Sequence, residues 1–214
     1  MTSLSPNSQS TPVLSEEFQE RWVRRGESLK RRSPFIPALP VILEGERVDD
    51  IERMNLEYPG DLYVTPMVHR STLALAAFVD AKEMLRKARE VTEDGELRKL
   101  LRGHALGCIA DGDPVRLVLD CYDNQNLEGS KLRLDPEAMC PDLSRIQRGF
   151  SYQHLNWDNA IRSVDACAYP YSVSSDPWFH GITHFINFRC SFNATSFGYT
   201  GSSVRNWGTL PPDY

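Results

Sequence analysis

Alternation of apolar and polar positions is clearest between His184 and Asn193, where Ile186, Phe188, Cys190 and Phe192 interleave with Asn187, Arg189, Ser191 and Asn193. A period of two sends these sets to opposite sides of a pleated strand, so the stretch predicts a half-buried strand. The same reading places short strands at Val41 to Leu43 and Leu62 to Val64, separated by the turn signal Pro59-Gly60-Asp61. In VRLVLDCYD, Val115, Leu117, Leu119 and Cys121 alternate with Arg116, Asp120 and Tyr122. That predicts a strand, returning as a hairpin through Lys131 to Leu134 after a loop at Asn124 to Ser130.

Helical spacing appears elsewhere. Ser71 reads as the cap of a helix whose stripe is Ala77, Ala81, Met84, Ala88 and Val91, with Phe78 and Leu85 beside it. A second helix follows from Asp94, with Leu97, Leu100, Leu101, His104 and Cys108 on one face, and the short joint between the two predicts an antiparallel hairpin. An earlier helix is expected from Ser15, where Phe18 and Trp22 pair, and it ends before Pro34. Pro34, Pro37 and Pro40 then hold an extended connector. Beyond Pro141, aromatic residues punctuated by Gly, Ser and Asn suggest sheet.

These elements predict an α+β fold: N-terminal helices including an antiparallel helix hairpin, followed by a mainly antiparallel β-sheet in the C-terminal half. Residues 1–13, rich in Ser, Thr, Pro, Asn and Gln, read as a flexible polar tail before a single domain over 14–214, with an aromatic arm from about residue 195 to 214. No internal repeat is visible at a solenoid period.

Composition changes little in this picture. With 41% hydrophobic and 25% charged residues the 214-residue chain is ordinary globular material. A formal charge of −5 argues against a general nucleic-acid-binding surface. The basic cluster that includes Arg24, Arg25, Arg31 and Arg32 nonetheless offers a local site for nucleic acid or another anionic surface. Five scattered cysteines lack any CxxC spacing and read as reduced, structural thiols. The start of the chain lacks the pattern of a secretory signal, and no apolar run reaches the roughly 18 residues of a membrane span, so a cytoplasmic location is expected.

Candidate chemistry rests on histidines. His180 and His184 are four apart, a spacing that puts both imidazoles on one face of a regular element and suits a divalent transition metal. Asp176, or His154 with Asp158, could complete the ligand set. The same His154, Asp158, His180 and His184 could instead do acid/base work. Opposing both readings, no glutamate lies between His180 and His184, and no phosphate-binding or nucleophile-elbow motif is present. Asp111-Gly-Asp113 and Asp123-Asn-Gln-Asn126 lack the closing glutamate of a calcium loop. The expectation is a non-catalytic interaction or assembly protein working through protein–protein contacts, with a protein partner or a homo-oligomer. A lyase, isomerase or metal-dependent enzyme built on the His/Asp cluster is the alternative.

Overall fold

The computed structural model describes residues 34–92, 94–108, 117–148, 155–165, 169–198 and 201–207. The expected tail, the helix from Ser15 and its arginines lie outside these residues, as does His154. The described protein is mostly β, with thirteen strands in two sheets and its longer helices in the middle of the chain. The expected α+β order of helices first and sheet later is therefore corrected.

The first half builds one wing. Strands β1 (Val41–Leu43) and β2 (Glu46–Val48) are joined by Glu44 and Gly45, and β3 (Leu62–His69) and β4 (Thr72–Phe78) by Arg70 and Ser71. All four connecting residues have positive φ, the requirement of a two-residue hairpin turn. Between the hairpins, α1 (Ile51–Glu57) is capped by Asp50, whose carboxylate accepts the Arg53 N–H. Ser71, expected to cap a helix, instead sits in a turn, and Ala77 and Phe78 lie in β4. The run Leu73 to Phe78 is buried on both faces, which makes it a central strand despite alanines that favour a helix.

Two helices follow, α2 (Ala81–Thr92) and α3 (Gly95–His104), the latter capped by Asp94 as its sequence predicts. They do not form an N-terminal helix hairpin. Met84, Leu85 and Ala88 of α2 pack with Ala76, Phe78 and Phe185, whereas Leu97 and Leu101 of α3 enter the main core. Each stripe is buried on sheet, because the sheet offers two apolar faces to cover.

The second half contains an internal duplication. One copy has the hairpin β6 (Leu119–Tyr122) and β7 (Lys131–Leu134), then β8 (Met139–Cys140) and β9 (Ser163–Asp165). The other has the hairpin β10 (Tyr171–Ser174) and β11 (Ile182–Ile186), then β12 (Cys190–Asn193) and β13 (Ser203–Asn206). In each copy the last strand returns beside the first strand of its hairpin, while the third leaves for the other sheet. Thus β8 pairs with β13 and β12 with β9, which interlocks the copies. Completed by β5 (Gly107–Cys108), the sheets run β2-β1-β4-β3-β11-β10-β13-β8 and β5-β12-β9-β6-β7. Segment 203–206, expected within an arm, is an interior strand.

The main core lies between the sheets, with Val64, Tyr171, Val173 and Ile182 from one and Leu119, Cys121, Val164 and Phe192 from the other. The stretch 184–193 accordingly divides. It leaves the larger sheet after Ile186, turns at Phe188, whose carbonyl accepts the Cys190 N–H, and joins the smaller sheet. Cys190 faces Cys108 across the β5–β12 pair, and their sulfurs form a disulfide. These two cysteines are therefore not the reduced thiols that their spacing suggests.

Candidate functional site

Both hairpins of the duplication carry the same clamp. After β6, Asp123 Oδ1 accepts the Ser130 N–H at 2.6 Å; after β10, Ser175 Oγ accepts the Ile182 N–H at 2.9 Å. Ser163 Oγ donates to the Asn124 carbonyl and accepts the Leu127 N–H, at 2.7 and 3.0 Å. Ser203 Oγ does the same for the Asp176 carbonyl and the Phe179 N–H, at 2.8 and 3.1 Å. In each loop two consecutive residues take left-handed backbone, Asn126 and Leu127 in one and Trp178 and Phe179 in the other.

The loops close on Gly129 and Gly181, both at positive φ. A Cβ on Gly181 would lie 2.3 Å from Ser175 Oγ and 2.5 Å from Asp176 Oδ2. Gly181→Ala is expected to cost about 2 kcal/mol through combined clash and backbone strain, read as a lowered denaturation midpoint. An unchanged midpoint would show that the clamp does not restrain the loop.

The second loop gathers most of the site. Trp178 is 58% exposed, yet its backbone is fixed. Its N–H donates to the Pro141 carbonyl, and the Phe179 N–H is held by Ser203. Asp61, read from sequence only as part of a turn, anchors the far side. It accepts the Gly181 N–H at 2.7 Å through Oδ1, and Oδ2 lies 2.9 Å from His180 Nδ1. This contact also starts the parallel pairing of β3 with β11.

The His180 and His184 pair does not form a common face. The His180 side chain is 67% exposed and precedes β11, and Gly181, with φ of 79°, interrupts the strand alternation between them. His184 is 1% exposed, sits between Val173 and Val64, and meets the Phe35 ring edge-on at 5.7 Å. Burial lowers its pKa to about 3, so it is neutral at physiological pH. Asp158 is half-buried in the turn after Trp157, with its N–H on Asn156 Oδ1. Among the described residues, no three His, Cys, Asp or Glu side chains group as a metal-holding set. Of the unbridged thiols among the described residues, Cys121 is in the core, and burial raises the pKa of Cys140. Neither is poised as a thiolate.

Phe179, beside Trp178, reaches the rim of a cavity of about 450 Å³ between α2 and the outer face of the larger sheet. Thr183 and Phe185 of β11 and Arg205 of β13 line it, together with Trp207 beyond β13. No sequence motif points to this cavity, because its residues come from distant strands and share only their outward parity.

No helix among the described residues is long and apolar enough to cross a membrane. No protein-family model matches the chain, and no curated protein matches it. Among solved structures, a βγ-crystallin from Ciona intestinalis is similar over 42% of this chain and 98% of its own, with 20% identity and a TM-score of 0.33.

Proposed function

We propose that the protein is a non-catalytic interaction protein and that Trp178 is the anchor of its protein–protein contact. The carrying observation is the comparison between its own two loops. Trp178, at φ 63° and ψ 28°, occupies the position held by Asn126 in the other copy, at φ 59° and ψ 31°. Asparagine tolerates left-handed backbone, whereas a bulky aromatic residue there is strained. The indole regains little of that cost by burial, since more than half of it faces solvent. A strained, pinned and exposed tryptophan suits a pre-organised docking residue, and strain of this kind clusters at functional sites.

The enzyme alternative loses support because His184 is sealed in the core and His180 lies in the exposed loop. The Cys108–Cys190 bridge favours an oxidising setting over the reducing cytoplasm.

Trp178→Asn separates folding from docking. It is expected to stabilise the fold by about 1 kcal/mol, raising the melting temperature by about 3 °C. Binding is expected to weaken about thirtyfold, as for a central tryptophan anchor. Sedimentation equilibrium reads association with a second copy, and capture from an extract of the source cells reads association with other proteins. A variant that keeps the wild-type assembly and partners would overturn the reading. So would a wild-type chain that stays monomeric and retains no protein.

A further inference from the structure

We propose that the cavity under α2 is a binding site for a small aryl carboxylate, with Arg205 as the group that recognises the acid. Its size falls in the range of small-molecule pockets, which run from about 300 to 1,000 Å³. Four aromatic side chains line it, Tyr63, Phe179, Phe185 and Trp207, and Met84 and Leu85 of α2 add an aliphatic wall. Two of the rings hold each other in place: Trp207 meets Phe185 edge-on at 5.9 Å, and its Nε1–H donates to Ser172 Oγ at 3.1 Å. Such a lining accepts a flat apolar body through stacked and edge-on contacts.

The polar end is set by Arg205. Its guanidinium carbon stands 3.8 Å from the centre of the Trp207 ring, which fixes the plane of the donor fork over the cavity wall. Its Nε–H is shielded from solvent and meets no acceptor among the described residues. A buried donor of this kind costs free energy until an acceptor arrives. A carboxylate supplies an acceptor of matching charge and planarity. Lys82 also lines the cavity and adds a second positive charge, while the Asp80 carboxylate there accepts the backbone N–H of Lys82 at 2.8 Å. The site is separate from the docking role of Trp178, whose indole points to solvent and does not line the cavity.

Isothermal titration of the full chain with naphthylacetate and its neutral counterpart naphthylethanol tests the assignment. The acid is expected to bind at least tenfold more tightly than the alcohol. Arg205→Gln is expected to remove that preference while leaving alcohol binding within about threefold. Leu85→Trp, which fills the cavity, is expected to abolish binding of both. These two variants fail differently, so a fold disturbed by one does not mask the other, and circular dichroism of each verifies the sheet. Equal affinity for acid and alcohol in the wild type would overturn the proposal. Absence of acid binding at millimolar concentration, or a preference that survives Arg205→Gln, would do the same.

Discussion

Opening the Cys108–Cys190 disulfide is expected to lower the melting temperature by about 10 °C. The bridge closes a loop between residues 82 apart in sequence, and closing a loop of that length restricts the unfolded chain by about 4.5 kcal/mol in the chain-entropy account. For a chain of this size each kcal/mol moves the midpoint by about 2–4 °C. The structural reason for a large effect is local. Strand β5 has only two residues, and its pairing with β12 holds the end of the helical segment against the smaller sheet. Thermal melts of Cys108→Ser and of the reduced wild type should agree, with the loss coming from one bond. Peptide mapping without reductant should recover the peptides carrying Cys108 and Cys190 joined. Peptides recovered apart, with a melt indifferent to reductant, would remove the bridge from the fold.

Acidification is expected to destabilise the protein through His184. In the unfolded chain this imidazole takes up a proton below its ordinary value of 6.5, whereas in the fold it stays neutral down to about 3. The unfolded state therefore binds more protons between those values, and stability falls as pH falls through that window. Above pH 6.5 this group contributes no pH dependence, and below about 3 both states are charged. The slope is about 1.4 kcal/mol per pH unit, so the loss from this residue reaches about 2 kcal/mol at pH 5. His184→Gln keeps hydrogen-bonding capacity without titrating. Denaturation at pH 7 and pH 5 should show a smaller acid loss in the variant by about 2 kcal/mol. Equal losses in both proteins would mean that His184 reaches water or a proton acceptor in the fold.

Local chemistry was legible wherever capping, turn and alternation signals lie close together in the sequence. Asp94 caps α3, Leu119 to Tyr122 returns through Lys131 to Leu134, and Val41 to Leu43 is a strand, each by short-range rules that need no tertiary knowledge. The failures share a different cause. Leu73 to Phe78 lacks a usable period because both of its faces are covered, and its alanines carry a helical bias. The alternation from His184 to Asn193 runs through a turn, because Ile186 before Phe188 and Cys190 and Phe192 after it all enter the main core.

The duplication left almost no trace in the residues. Asp123-Asn-Gln-Asn-Leu-Glu-Gly129 and Ser175-Asp-Pro-Trp-Phe-His-Gly181 share a small polar opener, an apolar fifth position and a closing glycine. What repeats is the hydrogen-bond clamp, which different side chains can supply. Asp61 escaped notice as a site residue for a related reason: its partners at His180 and Gly181 are 119 and 120 positions away. The spacing of His180 and His184 misled because a single glycine with positive φ cancels the periodicity on which it depends.

Trp178 carries the functional reading, and photo-cross-linking from its position tests that reading most directly. With Trp178→benzoylphenylalanine in the full chain, irradiation should join the protein covalently to a partner, or to a second copy. The same photoreactive side chain at Ile36, an apolar residue that is 73% exposed, should leave it unjoined. Adducts that form equally at both positions, or at Ile36 alone, would contradict a docking role for the Trp178 loop.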